Sequence, residues 1–591
     1  MLKVFASFKY WMWLLFLGIV VLIYFQVDSD LKLPDQMQKI VIAIMEAIQS
    51  QKDPTQMILR EGGTMLLISL TSIVCMFGAT LLATFIATQV GKNLRLKVYK
   101  SVNNFSLAEI NKFSTASLIT RTTNDVQSVQ FILVMLLRMG VMSPIMAIRG
   151  LSKINGISWQ LSTPVFVGVS VLLTMVIIIF IFIMPVFKKI QTLVDETNLV
   201  ARENLTGLRV IRAYDAVKPV EEKFDNVNKK LTKLNLNAGN IFAFVMPLVD
   251  FVMQIMIFLI TYIGASLISG NVLGDNPIEG IAYQATFAQY AIRIFMSFMF
   301  LIMIFINFPK AAVSAKRIFQ VVETKPSIIQ PLVDEEILNE KRGTIEFINV
   351  DFKYPDAEES VLHNINVKIS KGEIVAFIGS TGSGKSTVIN LIPRFFDVSA
   401  GQLLIDGVDV RNLTAKTIHS IVGFVPQKAS LFSGTIRSNL NLSNENASDE
   451  EIYEALSLAQ ATEFISSLPE GLDYHVSQGG KNFSGGQKQR LCIARALVGN
   501  PETLIFDDSF SALDYKTDRS LRNALMNRKK GTTLIIVAQR IATILEADKI
   551  VVLDKGDLID IGTHQELLKR CQIYQEMAFS QLSKEELNAT N

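Results

Sequence analysis

Long apolar runs fill the first half of the chain, whereas the second half alternates short apolar runs with polar turns. A helix needs about 20 residues, most of them apolar, to cross a bilayer. Segments of that kind predict six membrane-spanning helices, near 11–27, 65–90, 131–150, 158–186, 240–269 and 281–308. Arg138, Pro144 and Arg149 interrupt the third of them.

Basic residues between these spans predict the orientation in the membrane, because cytoplasmic loops carry an excess of lysine and arginine. The segments after spans two and four are basic, with Lys92, Arg95, Lys97, Lys100, Lys112 and Arg121 in the first and Lys188 to Lys233 in the second. The turn between spans five and six has only Asp275 and Glu279. The N-terminus and everything after span six are therefore predicted to be cytoplasmic, and 28–62 external.

The two basic segments are too long for simple turns. Val194, Ala201, Leu205 and Leu208 repeat at helical spacing, which favours spans that continue beyond the bilayer as stalks over solvated linkers.

Near residue 343 the sequence pattern changes to short β-rich runs and glycine turns, as in a soluble α/β domain. The apolar run 373–378 predicts a buried strand, and a helical run begins at Val388. Between them lies a G-x-x-x-x-G-K-[ST] phosphate loop with its required flanks, formed by Gly379, Ser380, Thr381, Gly382, Ser383, Gly384, Lys385, Ser386 and Thr387. Its glycines let backbone N–H groups surround phosphates at a helix N-terminus, which predicts ATP binding.

A second buried run, 503–507, ends on an acidic residue. In phosphate-loop ATPases such a residue holds the Mg²⁺ shell, so Asp507 is the candidate metal residue, together with the phosphate-loop hydroxyl of Ser386. Lys385 is expected to reach the β- and γ-phosphates.

The composition of the chain mainly excludes certain domain organisations, partners and sites. A chain of 591 residues, half of them hydrophobic, requires at least two domains. The net charge of +3 gives no reason to expect nucleic acid, and three scattered cysteines indicate neither disulfides nor a metal site. The first apolar run lacks a small-residue cleavage site, so no cleavable signal peptide is expected.

Between the two buried runs lies Phe-Ser-Gly-Gly-Gln, residues 483–487, at the start of an amphipathic run. This motif, with the phosphate loop and the acidic strand, resembles the ATP-binding-cassette (ABC) family across the whole second domain. The resemblance implies that Tyr354 stacks on adenine, that Gln427 touches Mg²⁺, and that the loop 511–514, ending in Asp514, crosses between two motors. It also implies that two motors enclose two ATP molecules. Each ATP is bound by the phosphate loop of one chain and by the other chain's signature, here Ser484, Gly485, Gly486 and Gln487.

The membrane half resembles the exporters of that family, which have six spans per subunit and long cytoplasmic stalks. The similar segments are 203–212 in the second stalk, 113–118 leading to Arg121 and Asp125, and 314–319 at the link into the motor.

Two positions depart from the family pattern, and both concern hydrolysis. Asp508 stands where the family has a glutamate that polarises the attacking water, and Gln539 replaces the switch histidine that contacts the γ-phosphate. Aspartate is one methylene shorter, and glutamine cannot relay a proton. Together with the intact phosphate loop, these changes favour a site that holds ATP and hydrolyses it slowly.

The cargo is less defined by the sequence. Methionines recur in the spans, and phenylalanines join them in the sixth: Met135, Met139, Met142, Met146, Met246, Met253, Met256, Met296, Met299, Met303, Phe287, Phe295, Phe298, Phe300 and Phe305. Such side chains suit either a permissive cavity or ordinary packing. Asp250 and Arg293 are charges within spans, and they could pair with each other or contact substrate.

These observations predict a membrane α-helical domain (1–325), a linker (326–342), an α/β ABC nucleotide-binding domain (343–580) and a tail (581–591). The favoured function is one half of a heterodimeric drug or lipophile exporter in a bacterial plasma membrane, using ATP and Mg²⁺. Its expected partners are the lipid bilayer, a hydrophobic small molecule, and a second half-transporter that carries the glutamate and the histidine. The alternatives are a homodimeric lipid or peptide exporter with an active motor and a nucleotide-gated regulatory subunit.

Overall fold

The computed structural model describes residues 1–50, 53, 55–155, 159–270, 273, 277–337, 339–355, 357–526 and 531–582. Its contacts divide the chain into two compact units. The first comprises 1–101 and 116–324, and the second comprises 102–115 and everything from Lys325 onward. The contacts thus group the segment 326–342, which the sequence analysis treated as a linker, and the short segment 102–115 with the second unit. The predicted tail lies outside the described residues from 583 onward.

The first unit consists of helices. They are α1 (Leu2–Ala6), α2 (Tyr10–Ser50), α3 (Thr55–Asn103), α5 (Thr115–Thr120), α6 (Val126–Asn155), α7 (Trp159–Ala213), α8 (Val217–Ser269) and α9 (Pro277–Glu323); α4 (Leu107–Phe113) belongs to the second unit. Among the described residues, six helices are long and apolar enough to cross a membrane. They correspond to the six predicted spans, including the third, where Pro144 lies within the continuous helix α6.

The stalks predicted on both sides of residue 214 are continuous helices. At 1.5 Å per residue, α7 and α8 are each far longer than a bilayer requires. The two helices pack against each other. The chain reverses between them at Tyr214–Ala216, where Asp215 takes a positive φ of 49°. The segments on both sides of residue 214 are therefore helical extensions of the spans and not solvated linkers.

Three helices of the first unit are joined by ion pairs that the hydropathy pattern does not reveal. Asp28 on α2 pairs with Arg149 on α6, and Asp35 pairs with Lys153 at 2.9 Å. Arg293 on α9 lies 3.9 Å from Asp30, which also accepts a hydrogen bond from Ser72. The pairing of Arg293 with Asp250 considered from the sequence is thus not formed, because Asp250 is exposed on α8. Asp275 and the side chain of Met246 lie outside the described residues.

Two motifs distant in sequence meet at the start of α6. A single π-helical turn, Arg121–Asp125, precedes α6 and buries the carboxylate of Asp125. Ser314 Oγ donates to Asp125 at 2.8 Å, and Arg317 Nε lies 3.4 Å from the same carboxylate. Arg121 Nη1 donates to the carbonyl oxygen of Arg317 at 2.8 Å. A buried carboxylate requires such partners, so these contacts hold the start of α6 against α9.

The second unit is built on one mixed sheet. Its strands are β1 (Ile345–Phe352), β2 (Leu362–Ile369), β3 (Ile374–Gly379), β4 (Ala400–Ile405), β5 (Val408–Asp409), β6 (Val422–Val425), β9 (Thr503–Asp507), β10 (Thr533–Val537), β11 (Lys549–Asp554) and β12 (Asp557–Gly562), with β7 (Gly434–Thr435) and β8 (His475–Val476) as a separate pair. The order is β5-β4-β1-β2-β12-β11-β3-β10-β9-β6. The strands β11, β3, β10, β9 and β6 run parallel to one another, whereas β12 is antiparallel to β11.

Helices cover this sheet on both faces. They are α10 (Lys385–Leu391), α11 (Ala415–Ile421), α12 (Ile436–Leu440), α13 (Asp449–Leu458), α14 (Thr462–Ser466), α15 (Gly485–Val498), α16 (Tyr515–Met526), α17 (His564–Arg570) and α18 (Gln572–Gln581). Alternate residues of β3 pack into two separate hydrophobic cores. Ala376 and Ile378 belong to one core, and Val375 and Phe377 belong to the other. This is the pattern expected of a central parallel strand buried on both faces.

The segment that follows α3 packs within the second unit. Ser106 caps α4 and forms a reciprocal capping box with Glu109. Glu109 also accepts a hydrogen bond from the backbone of Ser327 at 3.2 Å. Further along the predicted linker, Asp334 accepts from Thr417 at 2.8 Å. These polar contacts explain why both stretches group with the sheet domain.

Candidate functional site

The phosphate loop lies between β3 and α10, as the sequence predicts. Gly382 and Gly384 have φ of +86° and +96°, a region that side-chain-bearing residues rarely adopt. A Cβ on Gly384 would lie 2.7 Å from the side chain of Leu362, so the loop needs glycine there on both grounds. Lys385 Nζ donates to the carbonyl oxygens of Gly379 and Ser380 at 2.9 and 2.7 Å.

The acidic strand β9 brings Asp507 to this loop. Ser386 Oγ donates to Asp507 Oδ1 at 3.0 Å, so the hydroxyl and the carboxylate predicted to hold Mg²⁺ are neighbours. Burial raises the pKa of Asp507. Burial lowers the pKa of Lys385, and the nearby carboxylates of Asp508 and Asp507 partly offset this shift by stabilising the charged amine. A buried carboxylate and a neighbouring exposed hydroxyl beside a lysine form the kind of donor set that binds Mg²⁺ and phosphate groups.

The two departures from the family pattern lie in contact. Gln539 Nε2 donates to Asp508 Oδ2 at 3.0 Å, and Gln427 Nε2 donates to the same oxygen at 3.1 Å. The carboxylate of Asp508 is therefore held between two side-chain amides that come from separate loops. Asp508 has φ of 46°, which aspartate tolerates better than most residues.

These groups form one cavity of about 400 Å³. Its lining includes the phosphate loop from Thr381 to Thr387 with Gln427, Asp507, Asp508 and Gln539. It also includes Val361 and Val537, which no motif indicated and which only the strand order could place there. Carboxyl ends of parallel strands meet at one edge of a sheet, which is why β3, β9 and β10 deliver their loops together.

Tyr354 lies beside this cavity. Its hydroxyl is 3.0 Å from Thr387 Oγ1, and its ring packs edge-on against Phe352 and Phe396. The position is compatible with the predicted stacking on a nucleotide base, which stays a prediction.

The signature residues Ser484, Gly485, Gly486 and Gln487 and the loop residue Asp514 do not line the cavity. Ser484 caps α15 and shares a capping box with Gln487. Asp514 accepts from the backbone of Thr517 at 3.2 Å at the start of α16. The structure therefore brings together the predicted phosphate and metal residues and separates the signature from them. Among the described residues, no group of three histidine, cysteine, aspartate or glutamate side chains could hold a metal ion.

Comparison with known proteins decides the family. Residues 362–511 match the ABC transporter family, and residues 35–295 match the ABC transporter transmembrane region. An uncharacterized ABC transporter ATP-binding protein of Mycobacterium tuberculosis is 35% identical over 534 residues, 90% of each chain. The chain belongs to the ABC transporter family. Its motor is accordingly that of an ATP-hydrolysing transporter, and it is a multi-pass membrane protein.

Two further relatives carry more specific descriptions. The ATP-dependent lipid A-core flippase of Syntrophus aciditrophicus is 33% identical, covering 84% of this chain and 81% of the flippase. The putative multidrug export ATP-binding/permease protein YgaD of Bacillus subtilis is 32% identical, covering 82% and 83%.

A solved structure supports the fold of this ABC transporter. A bacterial Atm1-family ABC exporter with ATP bound matches 96% of this chain and 98% of its own, with a TM-score of 0.79 and 23% identity. The chain thus has the ABC exporter fold, with six apolar helices in the membrane domain and a sheet-rich nucleotide-binding domain.

Proposed function

We propose that this ABC exporter chain is one half of a heterodimeric pump for drugs or other lipophilic compounds, and that its own phosphate loop forms a slow ATP site. The observation that supports this is the environment of Asp508. Its carboxylate accepts hydrogen bonds from Gln427 and Gln539, at 3.1 and 3.0 Å. A general base must reach the water it activates, and this carboxylate is short and held on one oxygen by two amides.

Among the described residues that line the cavity, no histidine compensates for this arrangement. The chain has four histidines, at 363, 419, 475 and 564, and none of them lines the cavity. His564 is buried with its Nδ1 2.7 Å from the hydroxyl of Tyr574. Glutamine at 539 can donate a hydrogen bond to phosphate oxygen but cannot accept and pass on a proton at neutral pH.

Binding of Mg-ATP has the residues it needs. Ser386, Asp507 and the side-chain oxygen of Gln427 would hold Mg²⁺, which supplies positive charge against the phosphate oxygens when bound. Lys385 and the inward backbone N–H groups of the loop would hold the β- and γ-phosphates, with the adenine on Tyr354. ATP binding and slow turnover are therefore compatible in one site.

The signature then serves the other site of the pump. Residues 484–487 keep the Ser-Gly-Gly-Gln pattern, and Ser484 opens α15 with a complete capping box. A side chain added at Gly485 would meet no atom within 4 Å, so this surface is open to a nucleotide on a partner chain. The partner would contribute the glutamate and the histidine that this chain lacks.

A lipophilic cargo is favoured by the relatives and by the membrane helices. A groove of about 870 Å³ lies between α7 and α8, lined by apolar side chains such as Phe166, Met175 and Phe244. The two relatives described above, a lipid A-core flippase and a putative multidrug export protein, carry lipid and drug names, and we place this chain in that range of substrates. We further propose a bacterial plasma membrane with the motor in the cytoplasm, because the basic stalks favour that side.

A second candidate is a homodimeric lipid exporter with an active motor. It is favoured by the retained carboxylate at 508 and by the similarity to the lipid A-core flippase. The two candidates differ in what the chain does without a partner.

The deciding experiment is ATP hydrolysis by the full chain alone, reconstituted in lipid, with equilibrium binding of Mg-ATP measured in parallel. The Asp508→Asn variant sets the level of a site without a base, and Lys385→Ala sets the level without phosphate binding. We expect tight binding and turnover close to that of Asp508→Asn. Brisk turnover that Asp508→Asn abolishes would instead establish the homodimer with an active motor.

A further inference from the structure

The loop that carries Gln539 is held by the C-terminal helix α18. Gln581, the last residue of that helix, places its side-chain amide against the main chain of the loop. Its Nε2 donates to the carbonyl oxygen of Gln539 at 3.0 Å, and its Oε1 accepts from the N–H of Ile541 at 2.9 Å. The amide thus imitates a peptide group opposite Arg540 and satisfies both of its polar atoms on one loop.

These bonds are connected to the nucleotide cavity through a single residue. The backbone of Gln539 is held by Gln581, and the side chain of Gln539 donates to Asp508 at 3.0 Å. The backbone of Asp508 is in turn bonded to Val537 at 3.0 Å, at the end of β10. The position of the loop relative to Asp508 is therefore determined from two sides, by the strand and by α18.

The helix that supplies Gln581 is firmly packed. Tyr574 and Ala578 are fully buried, and Leu582 belongs to the same core as Ile541 and Ile544. These contacts fix the backbone of α18, so the amide of Gln581 reaches the loop from a supported position. A cap made only to end the helix would not need a donor and an acceptor on residues either side of Arg540.

We infer that Gln581 is a positioning residue for the nucleotide site: it holds the loop so that the Gln539 amide stands beside Asp508 at the end of the cavity where a γ-phosphate would lie. Gln581 does not line the nucleotide cavity, so it would act through Gln539. The inference holds for both candidate functions above, since it concerns ATP binding and not the turnover that separates them.

The test compares two nucleotides on the full chain in lipid nanodiscs. Gln581→Leu removes both hydrogen bonds at similar size. Gln572→Leu is the matched control, because the hydrogen bond of the Gln572 side chain to Glu576 stays within the same helix. We expect Gln581→Leu to weaken binding of a non-hydrolysable Mg-ATP analogue about tenfold, from the loss of two neutral hydrogen bonds. Binding of Mg-ADP should change less than about twofold, because ADP lacks the γ-phosphate that the loop of Gln539 would face. An equal loss for both nucleotides, or the same loss in Gln572→Leu, would overturn the inference.

Two further variants separate positioning from stability. Gln581→Glu keeps the acceptor for Ile541 but places a carboxylate against the carbonyl oxygen of Gln539, so it should weaken the Mg-ATP analogue as Gln581→Leu does. In a Gln539→Ala background, Gln581→Leu should add less than about a twofold change if it acts through that side chain. Full binding by Gln581→Glu, or additive losses in the double variant, would show that Gln581 does not act in this way.

Discussion

Lengthening the acid at position 508 is the most direct perturbation of the proposed slow site. The Asp508→Glu substitution adds one methylene, about 1.5 Å of reach along a C–C bond. A misplacement of about 1 Å can cost on the order of 10²-fold in rate. We therefore expect Asp508→Glu to raise kcat of the chain alone on the order of 10²-fold, which corresponds to ~2.7 kcal/mol in the barrier.

The structure adds a cost that the experiment must control. Residue 508 has φ of 46°, and a longer side chain in the left-handed region costs about 1–2 kcal/mol more than in the right-handed one. Asp508→Glu should therefore unfold at a lower temperature than the wild type while turning over faster. The amides of Gln427 and Gln539 lie 3.1 and 3.0 Å from the present carboxylate.

The assay is phosphate release by the reconstituted chain at saturating Mg-ATP, with binding measured on the same preparation. Asp508→Asn is the matched control, because it keeps the size and removes the base. Adding Gln539→His to Asp508→Glu should increase kcat further, since an imidazole can relay a proton that an amide cannot. The reasoning is refuted if both variants bind Mg-ATP as the wild type does and neither exceeds its kcat.

Two further predictions concern stability. Asp125→Ala removes a buried carboxylate that Ser314 and Arg317 contact at 2.8 and 3.4 Å. It should lower the free energy of unfolding by ~2–3 kcal/mol, seen as a lower melting temperature of the full chain, and Ser314→Ala should lose about half as much. Equal melting temperatures of Asp125→Ala and the wild type would contradict this prediction. Burial lowers the pKa of His564, whose Nδ1 faces the hydroxyl of Tyr574, so the folded state resists protonation of this histidine. The stability of the fold should therefore be retained above about pH 6.5 and decline as the pH falls below that value. His564→Gln should flatten that decline between pH 7.5 and 5.5, whereas an unchanged slope would show that another group titrates.

Much of the nucleotide site could be predicted because its parts are local. The phosphate loop depends on glycines at positive φ between a buried strand and a helix, all within a few residues of one another. The six spans could be predicted for a similar reason, since hydropathy over about 20 consecutive residues decides whether a helix suits the bilayer. The stalks followed from helical periodicity without strong breakers.

Contacts between distant segments depended on the tertiary structure. The sequence offered Asp250 as a partner for Arg293, but helix packing places Arg293 beside Asp30. It marked Asp508 and Gln539 as two separate departures from the family pattern, but only the strand order brings them into one hydrogen bond. Nothing in the local pattern around Gln581 indicated that it holds the loop of Gln539.

The sequence by itself therefore determined which segments form apolar helices of membrane-spanning length, where the phosphate loop forms and which acid follows the buried strand. Those properties rest on backbone conformation and hydropathy over short stretches, which nearby residues decide. The partners of charged and amide side chains were decided by the fold alone. A hydrogen bond depends on distances of a few tenths of an ångström between groups that can lie hundreds of residues apart in the sequence.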